Sequence, residues 1–461
     1  MANNTLNKIF FYFLISHLLI WTLIPSLSNS NLPRDTIEAL AWGSNLEWGF
    51  EKHPPLSAFA TEIFYQLFGS QDWAYYLLSQ LFVILSFYTI WLFSKDFFSN
   101  KKYCLISLLI LESIYFYNYT TPEFNVNVCQ LPFWSLSIFY AWRGFKRNNN
   151  LDWLLFGFFA GLGILSKYLF VYILLGIFTF FCFVFFKKKI SFKILFSLLP
   201  LTLIMMPHLL WLVENNFITV NYGMHRTVSS FYSGDSGLIN NFKYPLIFLA
   251  KQIGILIPFF IMVLSVTSKL KFNMNFKDEK LIFLFCISIV PFLLIFFTSL
   301  IFGVNIRTMW MTPFYLFLGV FVIYVLKKNI MLKKFKRFIF LFLFFFILSP
   351  VSYLLNSNLK KDQRIDYPSK EISNVVQEKW EKNFNNNISI VIGQAWWAGN
   401  LSYHLESRPK FVRGHLNAVR KKIDHNQGII YIEDESSKLT KSCPGVFFVT
   451  HSLFICMVGN K

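Results

Sequence analysis

Charge is scarce in this chain. Asp, Glu, Lys and Arg make up only 15% of its 461 residues, and acids are the rarer sign, 24 against 43 basic residues. A soluble domain normally carries charge on about a quarter of its positions, so the composition excludes an ordinary water-facing globule. Cysteine is scarce too. The six (Cys104, Cys129, Cys182, Cys286, Cys443 and Cys456) show no metal-binding spacing. No internal repeat is evident, which counts against the common transporter architectures. What is abundant is apolar sequence: 55% of residues are hydrophobic and mean hydropathy is +0.48. The 58 Phe, with the excess of Lys, Asn and Ile, match the bias of an AT-rich coding sequence and carry no functional weight.

Apolar runs of about 20 residues recur through the first three quarters of the chain, long enough to cross a bilayer as helices. In hydrocarbon every backbone polar group must be satisfied internally, so such runs are helical. Eleven spans are expected, near residues 8–26, 73–94, 103–118, 128–142, 153–168, 170–186, 194–213, 246–268, 281–300, 311–326 and 338–355. Alternate loops then carry twenty basic residues in one set and five in the other. The positive-inside rule places the first set in the cytoplasm and the second outside. The net charge of +19 therefore reads as a topology signal, and nucleic acid is excluded as a partner. Residues 1–30 have a thin basic start (Lys8) and no A-x-A site, so an uncleaved first span is favoured over a signal peptide. Either way the loop after it lies outside.

After residue 355 the chain turns polar. Ile372, Val375, Val376 and Trp380 have helical spacing, while residues 388–393, 428–433, 446–450 and 453–457 read as strands. The expected organisation is a transmembrane catalytic domain over 1–355 and a small exported α/β domain over 356–461. Cys443 and Cys456 are placed to pair in an oxidising compartment or to remain two thiols.

A charge at the bilayer centre costs at least about 2.5–3.5 kcal/mol, so the location of polar groups is informative. They gather at the outer face. The segment 34–56 holds Asp35, Glu38, Glu51 and His53, with Pro54 and Pro55 restricting where the His points. Glu123 lies in the second outer loop, Lys167 at the outer end of a span, and Arg307 before the tenth. Singly, each has an ordinary reading. Glu123 is a solvated acid beside the Pro122 turn, Lys167 a snorkelling anchor, His53 a loop histidine and Arg307 an interfacial Arg. Glu51 and Lys52 pair with each other, His208 packs near Pro207, and His225-Arg226 in the loop 214–245 is solvated, with contact to a phosphate as its functional alternative. Collected at one face, they point to chemistry at the membrane–water boundary.

The pattern resembles the GT-C superfamily of integral-membrane glycosyltransferases. Within it the chain is most similar to family 39 and 83 members: the protein O-mannosyltransferase-like group, the lipid A aminoarabinose transferases and the galacturonic-acid transferases of lipopolysaccharide core. The resemblance covers residues 5–355. It rests on Asp35 with Glu38, WG (42–43), EKHPPL (51–56), TPE (121–123), GLGILSKY (161–168), PHLLW (207–211), KQIGILIP (251–258) and RTMW with Pro313 (307–313). Many relatives carry adjacent Asp-Glu where this chain has Asp35-x-x-Glu38, and Asp where it has Glu123.

The resemblance implies a polyprenyl-phosphate sugar donor, an extracytoplasmic acceptor (lipopolysaccharide or lipid A, another envelope glycan, or protein) and inverting displacement at the bacterial inner membrane. Asp35 would be the general base. Glu38 and Glu123 would orient acceptor or sugar. Lys167 and Arg307, with His53, would hold the leaving phosphate, and Glu51 stands as a further substrate-binding candidate. No cofactor is required on this reading. The acids have room for a divalent cation but form no dedicated ligand set. The rivals are a transporter or flippase, a ligase or polymerase with a pyrophosphate-linked donor, and a scaffold presenting the tail.

Overall fold

The structure is a computed structural model that describes residues 3–187, 191–232, 239–272, 274–414, 427–436, 439, 446–449 and 453–460. All eleven expected spans are helical, though not all are long. Among the described residues, seven helices are long and apolar enough to cross a membrane: Asn4–Ser28, Asp72–Phe97, Tyr168–Phe186, Phe192–Glu214, Ile239–Val266, Glu279–Phe302 and Leu332–Leu359. An eighth crossing forms if Thr308–Tyr315 and Leu318–Leu326, bent by 54°, act as one. Leu131–Arg147 and Asn150–Ser166 have 17 residues each. The expected third span shortens to Lys101–Leu109 and continues as 3-10 turns over Ile110–Ser113 and Tyr115–Tyr117. The count of about eleven crossings therefore does not follow from length.

Small residues let the helices approach. A Cβ on Gly157 would lie 1.9 Å from the Ser197 carbonyl oxygen, and one on Gly161 would lie 3.0 Å from Ile204. Gly163 instead leaves room for the Phe170 ring, at 2.2 Å.

One polar pair sits deeper than the sequence suggests. His17, midway along the first helix, bonds Glu112 at 3.1 Å, and both side chains are fully buried. Asn118 donates to the Glu112 carbonyl at 2.6 Å and in turn accepts from Ser349 at 2.8 Å. Glu112 and Asn118 are thereby partnered away from water, as burial of polar groups requires, while His17 Nε2 has no partner among the described residues.

The loop after the first long helix folds into two short helices, Arg34–Gly43 and Leu56–Phe68. Pro33 and Pro55 stand at their N-caps, where the fixed proline φ suits a helix start. Residues Thr36 to Gly43 are all buried. They are covered from outside by the C-terminal region, whose helix Ala395–His404 packs closely on them. A Cβ on Gly399 would lie 3.0 Å from the Ala41 Cβ and 3.1 Å from Ile37. Ala41 and Trp42 consequently belong to the same apolar cluster as Val376, Trp380, Val391 and Leu401.

The C-terminal region has helix Ser369–Asn383 and five strands: β1 (Ile388–Gly393), β2 (Lys410–Arg413), β3 (Gly428–Glu433), β4 (Val446–Phe448) and β5 (Phe454–Val458). Their order is β2-β1-β3-β5-β4, with β1 parallel to β2 and β3, and β5 antiparallel to β3 and β4. Strand β2 was not foreseen; its four residues are too short to show alternation. Ile372, Val376 and Trp380 are buried as expected, whereas Val375 is 36% exposed. Cys456 is disulfide-bonded; Cys443, its candidate partner in one of the two readings of the sequence, lies outside the described residues.

Candidate active site

Where one set of helix ends meets the first loop and β2 there is a cavity of about 440 Å³. One wall is the start of helix Arg34–Gly43, which contributes Arg34, Asp35 and Glu38. Asp35 lies in the first turn, where the helix dipole favours a carboxylate. Its backbone N–H donates to Glu123 Oε1 at 3.0 Å, and the Thr36 hydroxyl donates to the Phe124 carbonyl at 3.2 Å. The second outer loop thus holds the helix start in place. Among the described residues, nothing donates a hydrogen bond to the Asp35 carboxylate, which faces the cavity unpaired.

Lys52, His53 and Pro54 form a second wall. The His53 carbonyl accepts the Phe50 N–H at 3.1 Å, and the Trp42 ring meets the imidazole edge-on at 6.0 Å. His53 is half-buried, and its accessible face opens into the cavity. Burial, reinforced by the charges of Lys167, Lys52 and Arg226, lowers its pKa to about 3. The ring is therefore neutral near pH 7. It can offer a hydrogen bond to a ligand but no charge for a phosphate.

Lys167 occupies a break between helices. Its backbone is extended (φ −167°, ψ 136°) after Ser166 closes one helix, and the chain turns helical again at Tyr168. The side chain is only 5% exposed, so it is no snorkelling anchor. Its Nζ donates to Asn127 Oδ1 at 2.5 Å and sits 5.3 Å from the centre of the Trp310 ring, a cation–π distance. Arg307 stands at the N-cap of the Thr308–Tyr315 turn and joins the lining with Trp310. His208 binds the Tyr168 hydroxyl at 2.7 Å and the Trp48 carbonyl at 2.6 Å, and so staples a cavity residue to the first loop.

Asp35, Glu38, His53, Lys167 and Arg307 thus share one cavity, as the sequence suggested. Glu123 stands behind Asp35 and opens to a neighbouring cavity of about 310 Å³ with Arg34 and Arg364. Burial, and then the Asp35 charge, raise its pKa to about 7. The expected pairing of Glu51 with Lys52 does not occur. Lys52 pairs with Glu38, and the more exposed Glu51 pairs with Arg413 of β2. Neighbours in a bent, non-helical segment diverge, so each finds a partner on a different element. Glu51 is absent from the cavity lining.

The sequence reading missed Arg34, Lys52, Asn127, Trp310 and Arg413, and it left Arg226 to solvent; all six line the cavity. Arg226 lies on the long loop's helix Ile218–Tyr232, and its guanidinium bonds and stacks on Tyr222.

The fold and cavity define a class: a polytopic membrane protein with a basic, anion-ready cavity where its helix ends meet a small α/β cap. Comparison with known proteins agrees. The family model described as dolichyl-phosphate-mannose-protein mannosyltransferase matches residues 52–211, which include His53, Glu123 and Lys167. The crystal structure of ArnT from Cupriavidus metallidurans bound to undecaprenyl phosphate is similar with a TM-score of 0.66 and 11% identity, over 99% of this chain and 98% of that one. For apo ArnT the values are 0.67 and 10%, over 98% of both chains. At such identities the likeness carries the fold, and with the family model it bears out the GT-C resemblance drawn from the sequence. No curated protein matches the chain in sequence.

Proposed function

We propose that the protein transfers a sugar from a polyprenyl-phosphate donor to an acceptor on the extracytoplasmic side of a bacterial inner membrane. One observation carries this reading. An unpaired carboxylate, Asp35, shares a single cavity with Lys167 and Arg307, on a fold like that of a protein crystallised with undecaprenyl phosphate. The outer placement follows from the charge of the loops.

The reaction needs little machinery. An acceptor hydroxyl attacks the anomeric carbon as the bond to the phosphate oxygen breaks, and the electron pair leaves with the phosphate. Asp35 takes the hydroxyl proton, a role worth about 10²–10⁴ in rate. Lys167 and Arg307 stabilise the charge that develops on the leaving phosphate, Arg307 by a two-pronged contact and Lys167 as a point charge. Attack opposite the leaving group inverts the anomeric carbon. Glu38, tied to Lys52, and neutral His53 orient the sugar by hydrogen bonds. Glu123 holds Asp35 through its N–H. Side chains supply the charge neutralisation, so no metal enters the scheme. The acceptor class is lipopolysaccharide or lipid A, another envelope glycan, or protein.

Transport is the rival reading. The His17–Glu112 pair lies at depth, but both side chains are fully buried and bonded within the bundle, which gives a solute no polar path. The test uses purified protein in lipid nanodiscs with a labelled polyprenyl-phosphate sugar and envelope extracts as acceptor. Transfer predicts labelled acceptor and released polyprenyl phosphate. Solute uptake into vesicles without release from any donor sinks the reading.

A further inference from the structure

A separate groove lies on the half of the first helix remote from Asp35. It has a volume of about 290 Å³ and runs between the first helix, Asn3–Ser28, and the last long one, Phe335–Leu359. Buried Phe13, Leu109 and Phe342 make its floor, while Tyr12 and Leu343, 66% and 46% exposed, make its rims. The two helices meet beneath it, with the Phe13 ring centre 5.7 Å from that of Phe342 and 6.1 Å from that of Phe346. Apart from Ser16 and the Tyr12 hydroxyl, the lining is hydrocarbon and aromatic. A space so lined takes apolar groups in preference to water.

One end of the groove is charged. Lys102 Nζ lies 5.9 Å from the centre of the Phe335 ring, and Phe335 is the lining residue that begins its helix. Lys101 Nζ donates to Asn7 Oδ1 at 3.3 Å, two residues before Ile9 of the lining. Both lysines are half-buried, so their ammonium groups are held at the groove mouth. Exposed Lys8 adds a third positive charge nearby. Among the described residues, none of the three has a carboxylate partner.

The length of the groove is informative. From Phe335 to Phe346 a helix rises about 16 Å, half of a hydrocarbon core of ~30 Å. The groove therefore runs from a charged membrane end to mid-depth, the reach of one lipid chain in one leaflet. Any hydrocarbon can cover an apolar groove. The paired lysines at its mouth select the chain that arrives with a negative headgroup.

We propose that the groove binds one anionic glycerophospholipid from the leaflet at the basic end of the bundle. An acyl chain lies between the first and last spans, and the headgroup phosphate rests on Lys101 and Lys102. The lipid joins two spans that reach the candidate site from opposite ends of the sequence. The first leads into helix Arg34–Gly43, which carries Asp35, and the last leads into the C-terminal region that covers that helix.

The test uses the full-length protein in nanodiscs of phosphatidylcholine with a minor fraction of phosphatidylglycerol. The protein is released into mild detergent, and native mass spectrometry counts the lipids it retains. One phosphatidylglycerol per protein should be retained in preference to phosphatidylcholine, and the thermal midpoint should be higher with phosphatidylglycerol present. In the Lys101→Gln/Lys102→Gln variant, retention should fall about fivefold for each lysine removed. Leu343→Trp fills the groove from its rim and should lower retention with both lysines in place. Lys271→Gln/Lys277→Gln removes the same charge from exposed positions outside the groove and should leave retention unchanged. Circular dichroism confirms that each variant is folded. Equal losses in the two double variants, retention unmoved by Leu343→Trp, or phosphatidylcholine retained as readily as phosphatidylglycerol would show general attraction to the membrane surface and overturn the proposal.

Discussion

The Glu123 carboxylate accepts the backbone N–H of Asp35 at 3.0 Å. Two loops, 88 residues apart in sequence, are therefore joined at the residue proposed as base. Through this bond Glu123 acts on Asp35 by position, and the two acids also share an electrostatic environment.

Replacing the base tests the chemistry directly. Asp35→Asn keeps size and polarity but cannot take a proton. Transfer should fall by about 10²–10⁴, with donor affinity little changed. Labelled-sugar transfer and polyprenyl-phosphate binding, measured on the same preparation, separate the two effects. Full activity in a properly inserted variant rules Asp35 out.

Stability should depend on pH through Glu123. Its folded pKa, about 7, lies above the ordinary carboxylate value of 4.5. The folded state thus favours the protonated form. This contribution is fully present below about pH 4.5 and is lost as pH rises through 7, amounting to at most about 3 kcal/mol. Glu123→Gln should flatten the decline in thermal midpoint between about pH 5 and 8. Asp35→Asn should flatten it partly, because the Asp35 charge is the second cause of the shift. An unchanged pH profile in the Glu123→Gln variant would show that another group titrates.

His53 has the opposite sign. Its folded pKa of about 3 lies below the ordinary 6.5, so the folded state favours the neutral ring. Stability from this source is present above pH 6.5 and is lost as pH falls toward 3. Imidazole NMR of His53 in detergent-solubilised protein should show no protonation between about pH 8 and 5. A midpoint near 6.5, the ordinary value, contradicts the assigned burial.

The phosphate cations should act on binding. Arg307→Ala should raise the donor KM by about tenfold or more, the loss expected for a charge-assisted hydrogen bond. Lys167→Gln should do the same and should also disturb Asn127, its partner at 2.5 Å. Unchanged donor affinity in Arg307→Ala removes that residue from the site.

The contact between the C-terminal region and the first loop should be necessary for folding. Arg408 donates to the Leu40 carbonyl at 2.7 Å and to Glu62 at 2.8 Å, and lies 4.0 Å from the Tyr65 ring centre. Both partners of the ion pair are nearly buried, with side chains 11% and 6% exposed. Removing the cation leaves the Glu62 charge buried with only the Gln66 amide as donor, so Arg408→Ala should cost about 3–5 kcal/mol. A lowered thermal midpoint and faster proteolysis near residue 360 would report it. Transfer should fall as well, since the helix carrying Asp35 is packed against this region.

Much of the fold was legible because bilayer physics is simple. Apolar runs marked the expected spans as helices, and loop charge separated the two faces. The shortened third span was not legible, because helix and 3-10 turn share the same apolar composition over residues 101–117. Nor was the burial of helix Arg34–Gly43 on all sides. Its sequence suits an amphipathic surface helix, and only the docked C-terminal helix covers the outer face. At the site, acids near a membrane end stood out, so Asp35, Glu38 and Glu123 were singled out, and the first two line the cavity. Arg226 and Arg413 resembled every other surface Arg.

The sequence by itself determined the membrane as solvent and the gathering of polar groups at the ends of the apolar runs. These depend on composition and on charge counted along the chain. The tertiary structure alone decided the partners: Glu38 with Lys52, Glu51 with Arg413, Glu123 with Asp35, and Arg226 in the cavity. Pairing depends on distances between elements far apart in sequence, and side chains that diverge along the chain meet only once helices and loops have packed.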